Sequence, residues 1–223
     1  MGKTYAMLEA AHMAKQQGID VVAGYIEPHA CPKTAALLNG LEVLPTREVL
    51  YNGMILNEFD IDMALKRKPQ LILVDELAHT NAEGCRHAKR YQDIKELLNA
   101  GIDVYTTVNV QHIESLCDTV SSITEIVVQE RIPDSLFDNA DQVKLMDIEP
   151  QDLIDRLNTG NVYRQTQAKQ VVENFFTIEN LTALREIALR RCADRVNILT
   201  ENARIKNHGD YHTDEHIPVS YTH

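Results

Sequence analysis

Two short clusters carry residue types that can handle phosphate. Gly2-Lys3-Thr4 opens a segment with helical spacing and coincides with the last three positions of the phosphate-loop pattern G-x-x-x-x-G-K-[ST]. In such a loop the backbone N–H groups and the helix N-terminus face an anion. The lysine reaches the β- and γ-phosphates, and the hydroxyl binds Mg²⁺. Three residues alone are a weak signal, since the triplet also arises by chance. The second cluster is Asp75-Glu76, which ends the apolar run from Gln70 to Val74. Open α/β sheets place their ligands at such strand ends. There an aspartate holds Mg²⁺ through water, and a neighbouring glutamate orients or deprotonates the attacking water. Acidic residues also simply solvate strand ends. The two clusters together point to nucleotide binding. Gly2, Lys3, Thr4 and Asp75 would hold ATP or a related nucleotide, Thr4 and Asp75 its Mg²⁺, and Glu76 is the candidate for water activation.

The elements that must position these residues follow from periodicity. Ala6, Met7, Ala10, Ala11 and Ala14 give a helix over Thr4–Gln17, stopped by Gly18. Asp20–Ile26 is apolar and β-branched, so it reads as a buried strand. A short helix is expected around Thr34–Asn39. Asn52-Gly53 between apolar residues marks a hairpin within Val49–Leu56. Asp60 suits the N-cap of a helix over Ile61–Lys68, closed by Pro69. The strand 70–74 is followed by a helix over Tyr91–Ala100, Gly101, and a strand over Asp103–Val110. Helix, turn and strand recur from His112 to Val143–Met146.

This alternation predicts an α/β fold, a P-loop-type mostly parallel sheet with helices on both faces, over residues 1–149. An all-helical extension over 150–207 follows. Its stripe of Leu181, Leu184, Ala188, Cys192, Val196 and Leu199 leaves Arg185, Arg191 and Arg195 elsewhere on the helix. The stripe reads first as packing on the sheet domain, with a signalling helix or the contact of a homodimer as the alternative. Residues 208–223 read as a polar tail, in which His208, His212 and His216 form no persuasive metal site because Gly209 interrupts them.

Composition sets outer limits. The 223 residues are 44% hydrophobic and 25% charged, a globular mix long enough to bury a core without staples. With 22 basic against 33 acidic residues the net charge is −11, which disfavours nucleic acid as a partner. Cys31, Cys85, Cys117 and Cys192 lack metal-ligand spacing and read as reduced thiols in a cytosolic setting. No apolar run approaches the ~20 residues needed to insert across a bilayer.

Longer stretches then become distinctive: Val74 to Asn81, Arg86-His87, Lys89 to Ile94, Ala100 to Leu116, Asn180 to Arg191 and Ala193 to Val196. They resemble the sensor domain of the KdpD family, the osmosensitive potassium-channel histidine kinases, over Gly2 to about Ile217. The resemblance implies a cytoplasmic domain sensing conditions for a membrane-bound kinase of a two-component system that controls potassium uptake. The partners it implies are the transmembrane and kinase parts of that sensor and, indirectly, a response regulator. Gly2, Lys3 and Thr4 carry over as the end of the phosphate loop, and Asp75 and Glu76 as the strand-end pair. His79, Thr80, Asn81, Asn109, Gln111 and His112 lie at strand ends, where both phosphate sensing and simple capping are open to them.

The departures from the family pattern are expected to matter. Family members carry a strand and a glycine-rich loop ahead of Gly-Lys-Thr, where this sequence has Met1, so a central strand is expected to be missing. His212–Ile217 resembles the linker to a universal-stress-protein-like domain, and Pro218–His223 breaks the match. The sequence thus reads as truncated at both ends, without the phosphoacceptor and catalytic regions of a histidine kinase. Three readings compete: a regulatory nucleotide-binding module, an autonomous P-loop ATPase, and an inactive gene fragment.

Overall fold

A computed structural model of the protein describes residues 2–27, 32–51, 53–159 and 175–207. Helix α1 (Lys3–Gln16) begins after Gly2, whose φ of 91° turns the chain into the first helical turn. Strand β1 (Val21–Tyr25) follows, then α2 (Pro32–Ala36) and the short β2 (Glu42–Val43). Strands β3 (Arg47–Tyr51) and β4 (Met54–Glu58) pair antiparallel as a separate hairpin. Helix α3 (Ile61–Arg67) is capped by Asp60, whose Oδ1 accepts the Met63 N–H at 3.0 Å. Then come β5 (Leu71–Val74), α4 (Arg90–Asn99) and β6 (Asp103–Thr106). Two 3₁₀ turns, Val110–His112 and Glu114–Leu116, lead into α5 (Cys117–Thr124), α6 (Asp134–Asp138), α7 (Pro150–Thr159) and α8 (Ile178–Asn207).

The main sheet is parallel in the order β2-β1-β5-β6, with Val22 beside Ile72 and Ile72 beside Val104. Alternate side chains leave its two faces. Val21, Ala23, Leu71 and Leu73 pack with Met7, Leu8, Ala11 and Ala14 of α1. Val22, Ile72 and Val74 meet Ile61 and Ala64 of α3, Ile94 and Leu97 of α4, and Ile113. This is the two-sided burial that the apolar runs 20–26 and 70–74 require.

Register between β1 and β5 slips between Ala23 and Tyr25. A Cβ on Gly24 would lie 2.7 Å from Ile72 Cδ1 and 2.9 Å from Phe59 Cε2, so only glycine admits this close approach. The slip carries Tyr25 onto the α3/α4 face, beneath Arg90.

Two expected strands differ. The run 103–110 stays extended only to Thr106, because Val110–His112 winds into a 3₁₀ turn at the sheet's carboxyl edge. Val143–Met146 is not a strand: among the described residues no neighbour pairs with it, and its side chains instead line a cavity with α8. The stripe on α8 is also corrected. Leu181 and Leu184 are buried, but Val196 is 58% exposed, whereas Arg191 and Arg195 are 8% and 6% exposed. Arg191 Nη2 donates to Asp138 at 2.7 Å and to Asp134 at 3.3 Å, and Arg195 Nε donates to the Phe137 carbonyl at 3.1 Å. Paired arginines replace apolar side chains at that end of the interface. The side chain of Leu199, the residue Cys31 and the expected tail over 208–223 lie outside the described residues.

Candidate functional site at the carboxyl edge of the sheet

The site is built where α1 begins and where β5 and β6 end. Gly2 supplies the left-handed turn, and its carbonyl accepts the Ala6 N–H at 2.9 Å. The first turn of α1 holds no acidic residue. Its free N–H groups and the helix dipole therefore favour an anion. Lys3 and Thr4 project from this turn. The Thr4 hydroxyl donates to Asp75 Oδ2 at 2.9 Å. The Lys3 ammonium donates to Asn109 Oδ1. Burial pushes the Lys3 pKa down, against the opposing pull of the Asp75 and Glu76 charges.

Asp75 is 1% exposed. Its Oδ1 accepts from the Thr107 hydroxyl, just past β6, and from the Glu76 N–H at 3.2 Å. Its backbone N–H donates to the Tyr25 carbonyl at 2.9 Å. The carboxylate is thus held from three segments. Glu76 adopts a φ of 58°, uncommon for a residue with a Cβ. Loss of water around its carboxyl, then the charges of Glu27 and Asp75, push its pKa up. That is the environment of a carboxyl that can take a proton.

Beneath the site lies a buried ionic support. Arg90 is fully buried; it donates to Glu58 Oε2 at 2.9 Å and to the Asp75 carbonyl at 3.3 Å, and lies 4.0 Å over the Tyr25 ring. Glu58 also accepts from His79 Nε2 at 3.1 Å and from the Ala82 N–H at 3.0 Å. Asn81 Nδ2 and His87 Nδ1 meet Asp93 at 2.7 and 2.8 Å. The loop between β5 and α4 is pinned by these contacts.

Gly2, Lys3, Thr4 and Asp75, drawn from distant positions in the sequence, come together, with Glu76 alongside. Of the six strand-end residues left open, Asn109 reaches Lys3, whereas His79 and Asn81 serve the ionic support and His112 bonds the Glu130 carbonyl. Sequence reasoning missed Thr107 and Arg90. Thr107 was signalled by a polar residue ending a strand; Arg90 sits in a basic pair that reads as surface. Among the described residues no group of three or more His, Cys, Asp or Glu could hold a metal ion by itself. One hydroxyl and one carboxylate oxygen at contact distance do fit Mg²⁺, which keeps waters and takes phosphate oxygens alongside few protein ligands.

An open parallel α/β sheet with a lysine, a threonine and a buried aspartate gathered at its carboxyl edge defines the class. The family follows from comparison: the model of the osmosensitive K⁺ channel His kinase sensor domain matches residues 1–196, and the chain belongs to this KdpD family. It is 60% identical over 205 residues to the sensor protein KdpD of Clostridium acetobutylicum, covering 92% of this chain and 23% of that one. It is 57% identical over 197 residues to the sensor protein KdpD of Escherichia coli K12, covering 88% and 22%. A putative sensor protein KdpD of Synechocystis is 47% identical over 212 residues, covering 95% and 57%. The chain thus spans about a quarter of the length of the first two relatives, 23% and 22%. Among the described residues no helix is long and apolar enough to cross a membrane.

Proposed function

We propose that this chain is a regulatory nucleotide-binding module: it binds ATP or a related nucleotide with Mg²⁺ and biases a linked sensor kinase. The contact of the Thr4 hydroxyl with Asp75 Oδ2 at 2.9 Å carries the reading. It brings together the two protein oxygens that a phosphate-bound Mg²⁺ needs. Lys3 in the same helical turn supplies the cation for the β- and γ-phosphates, and the Gly2 turn lets backbone N–H groups face them. When bound, Mg²⁺ would neutralise phosphate charge. The chain's own residues orient it: Thr4 and Asp75 would hold it, with Thr107 and the Glu76 N–H fixing the carboxylate. This is the reading of a P-loop-type fold.

Family membership extends the proposal to the whole protein: a cytoplasmic part of a potassium-responsive two-component sensor, acting on transmembrane and kinase domains and through them on a response regulator. Glu76 favours a second reading, slow hydrolysis, because its raised pKa suits a group that accepts a proton from water.

Calorimetric titration of Mg·ATP tests both. Saturable binding that Lys3→Ala abolishes is the expected result; absence of binding, or binding indifferent to Lys3, refutes the module. Phosphate release that Glu76→Gln stops would establish the enzyme reading.

A further inference from the structure

The acceptor that holds Lys3 is not a carboxylate but the amide of Asn109, and Asn109 begins a continuous chain of contacts to α8. Its carbonyl accepts the His112 N–H at 3.0 Å, closing the turn Val110–His112. His112 Nδ1 donates to the Glu130 carbonyl at 2.8 Å, and the His112 carbonyl accepts the Ile132 N–H at 2.8 Å. Ile132 is fully buried and leads through Pro133 into α6. Helix α6 is in turn clamped to α8 by Arg191 on Asp134 and Asp138 and by Arg195 on the Phe137 carbonyl. The same turn also borders the cavity of 220 Å³ that Lys3 and Asn109 share with Arg185, Ala188 and Cys192 of α8.

We propose that Asn109 is a positioning residue that reports the state of Lys3 to α8. This rests on the nucleotide reading of the same site. Without phosphate, Lys3 and Asn109 hold the turn Val110–His112 in its docked position against α8. A bound phosphate offers the ammonium a charged acceptor in place of a neutral amide oxygen. Lys3 turns to it, Asn109 is released, and the turn loosens its grip on α6 and α8. The long helix that leads away from the sheet is then the output of the site. Coupling of this kind requires a contiguous element with two arrangements, and the turn between Asn109 and Ile113 is that element. Asn109 itself is exposed, so replacing it leaves the core intact.

Hydrogen–deuterium exchange tests the link in the wild type, Lys3→Ala, Asn109→Ala and the double variant, each with and without Mg·ATP. Without nucleotide, each single variant is expected to speed exchange in 110–112 and in the Leu181–Arg195 part of α8 about fivefold, with the double variant no faster than either. Effects that multiply in the double variant would overturn the proposal, because two residues acting independently behave so. Mg·ATP is expected to reproduce the acceleration in the wild type and to add nothing in Asn109→Ala. Mg·ATP that binds but leaves α8 exchange unchanged in the wild type, or that still changes it in Asn109→Ala, also overturns it. If calorimetry shows no binding, the nucleotide reading fails by itself, and the nucleotide-free double variant still decides whether Lys3 acts on α8 through Asn109.

Discussion

Thr4 and Asp75, separated by 71 positions in the sequence, share a hydrogen bond of 2.9 Å at the point where α1 begins and β5 ends. Asp75 is the better anchored partner, since Thr107 and the Glu76 N–H fix its other oxygen. Thr4 is the replaceable one.

Thr4→Val removes one donor and leaves Asp75 with two others. A stability loss of about 1 kcal/mol is expected, while Mg²⁺ should cease to improve ATP binding. Asp75→Asn places an NH₂ where an acceptor is needed in a buried site, so the loss should reach about 2–3 kcal/mol. Urea unfolding of the two variants checks the order. Equal losses would mean that the carboxylate network does not hold the site together.

Glu76 combines a positive φ with a carboxyl beside Asp75. Glu76→Gly should relieve about 1 kcal/mol of backbone strain, offset in part by the freer unfolded chain. Thermal unfolding is therefore expected to show an unchanged or slightly raised midpoint. Any hydrolysis should disappear. A midpoint lowered by several degrees would show that the side chain stabilises the turn more than its conformation costs.

How far the sequence reached depends on whether each signal is local. Periodicity and capping are local, so α1 with Gly18, the Asp60 cap, the hairpin pair β3/β4 and the apolar strands β1 and β5 were all legible. Lys3, Thr4 and Asp75 were legible as a set because each belongs to a motif defined by its own neighbours. Arg90 was not: nothing beside it in the sequence announces that Glu58 and the Tyr25 ring, from two other strands, will bury it. The same holds for Arg191 and Arg195, whose partners on α6 turn polar positions of α8 into interior ones. Val143–Met146 failed in the opposite sense. Val143 and Leu145 alternate around Lys144 as in a half-buried strand, but both are exposed, and among the described residues no strand lies beside them.

Gly24 tests the packing between β1 and β5. A methyl group there would stand 2.7 Å from Cδ1 of the buried Ile72, so that side chain must shift. Gly24→Ala should cost about 1–3 kcal/mol, and it should disturb Tyr25 and Arg90, hence the platform below Asp75. A shift of the denaturant midpoint with unchanged slope is expected. No shift would mean that Ile72 and Phe59 repack freely.

The ionic support beneath the site fixes how stability varies with acid. Burial acts to raise the Glu58 pKa, but the His79 hydrogen bond and charge, the Ala82 N–H and the Arg90 charge outweigh it, and the net shift is downward. A depressed folded-state pKa contributes stability above the unfolded carboxylate value of about 4.3, lost as pH falls through the folded value. Asp93 has the opposite sign. Burial raises its pKa despite His87 and Asn81, so its contribution is present below the unfolded value and fades as pH rises through the folded one. Glu58→Gln should therefore flatten the fall in stability below about pH 4.3. Asp93→Asn should instead remove a gain that develops on acidification above the unfolded aspartate value of about 3.9, and so steepen the fall in that higher window. Arg90→Met should cost about 3 kcal/mol at neutral pH, because it removes the buried cation paired with Glu58 and leaves only His79 and the Ala82 N–H facing that carboxylate. Urea unfolding across pH 3 to 7 for the three variants is the measurement. Parallel acid limbs in wild type and Glu58→Gln would show that the depressed Glu58 pKa contributes nothing to stability.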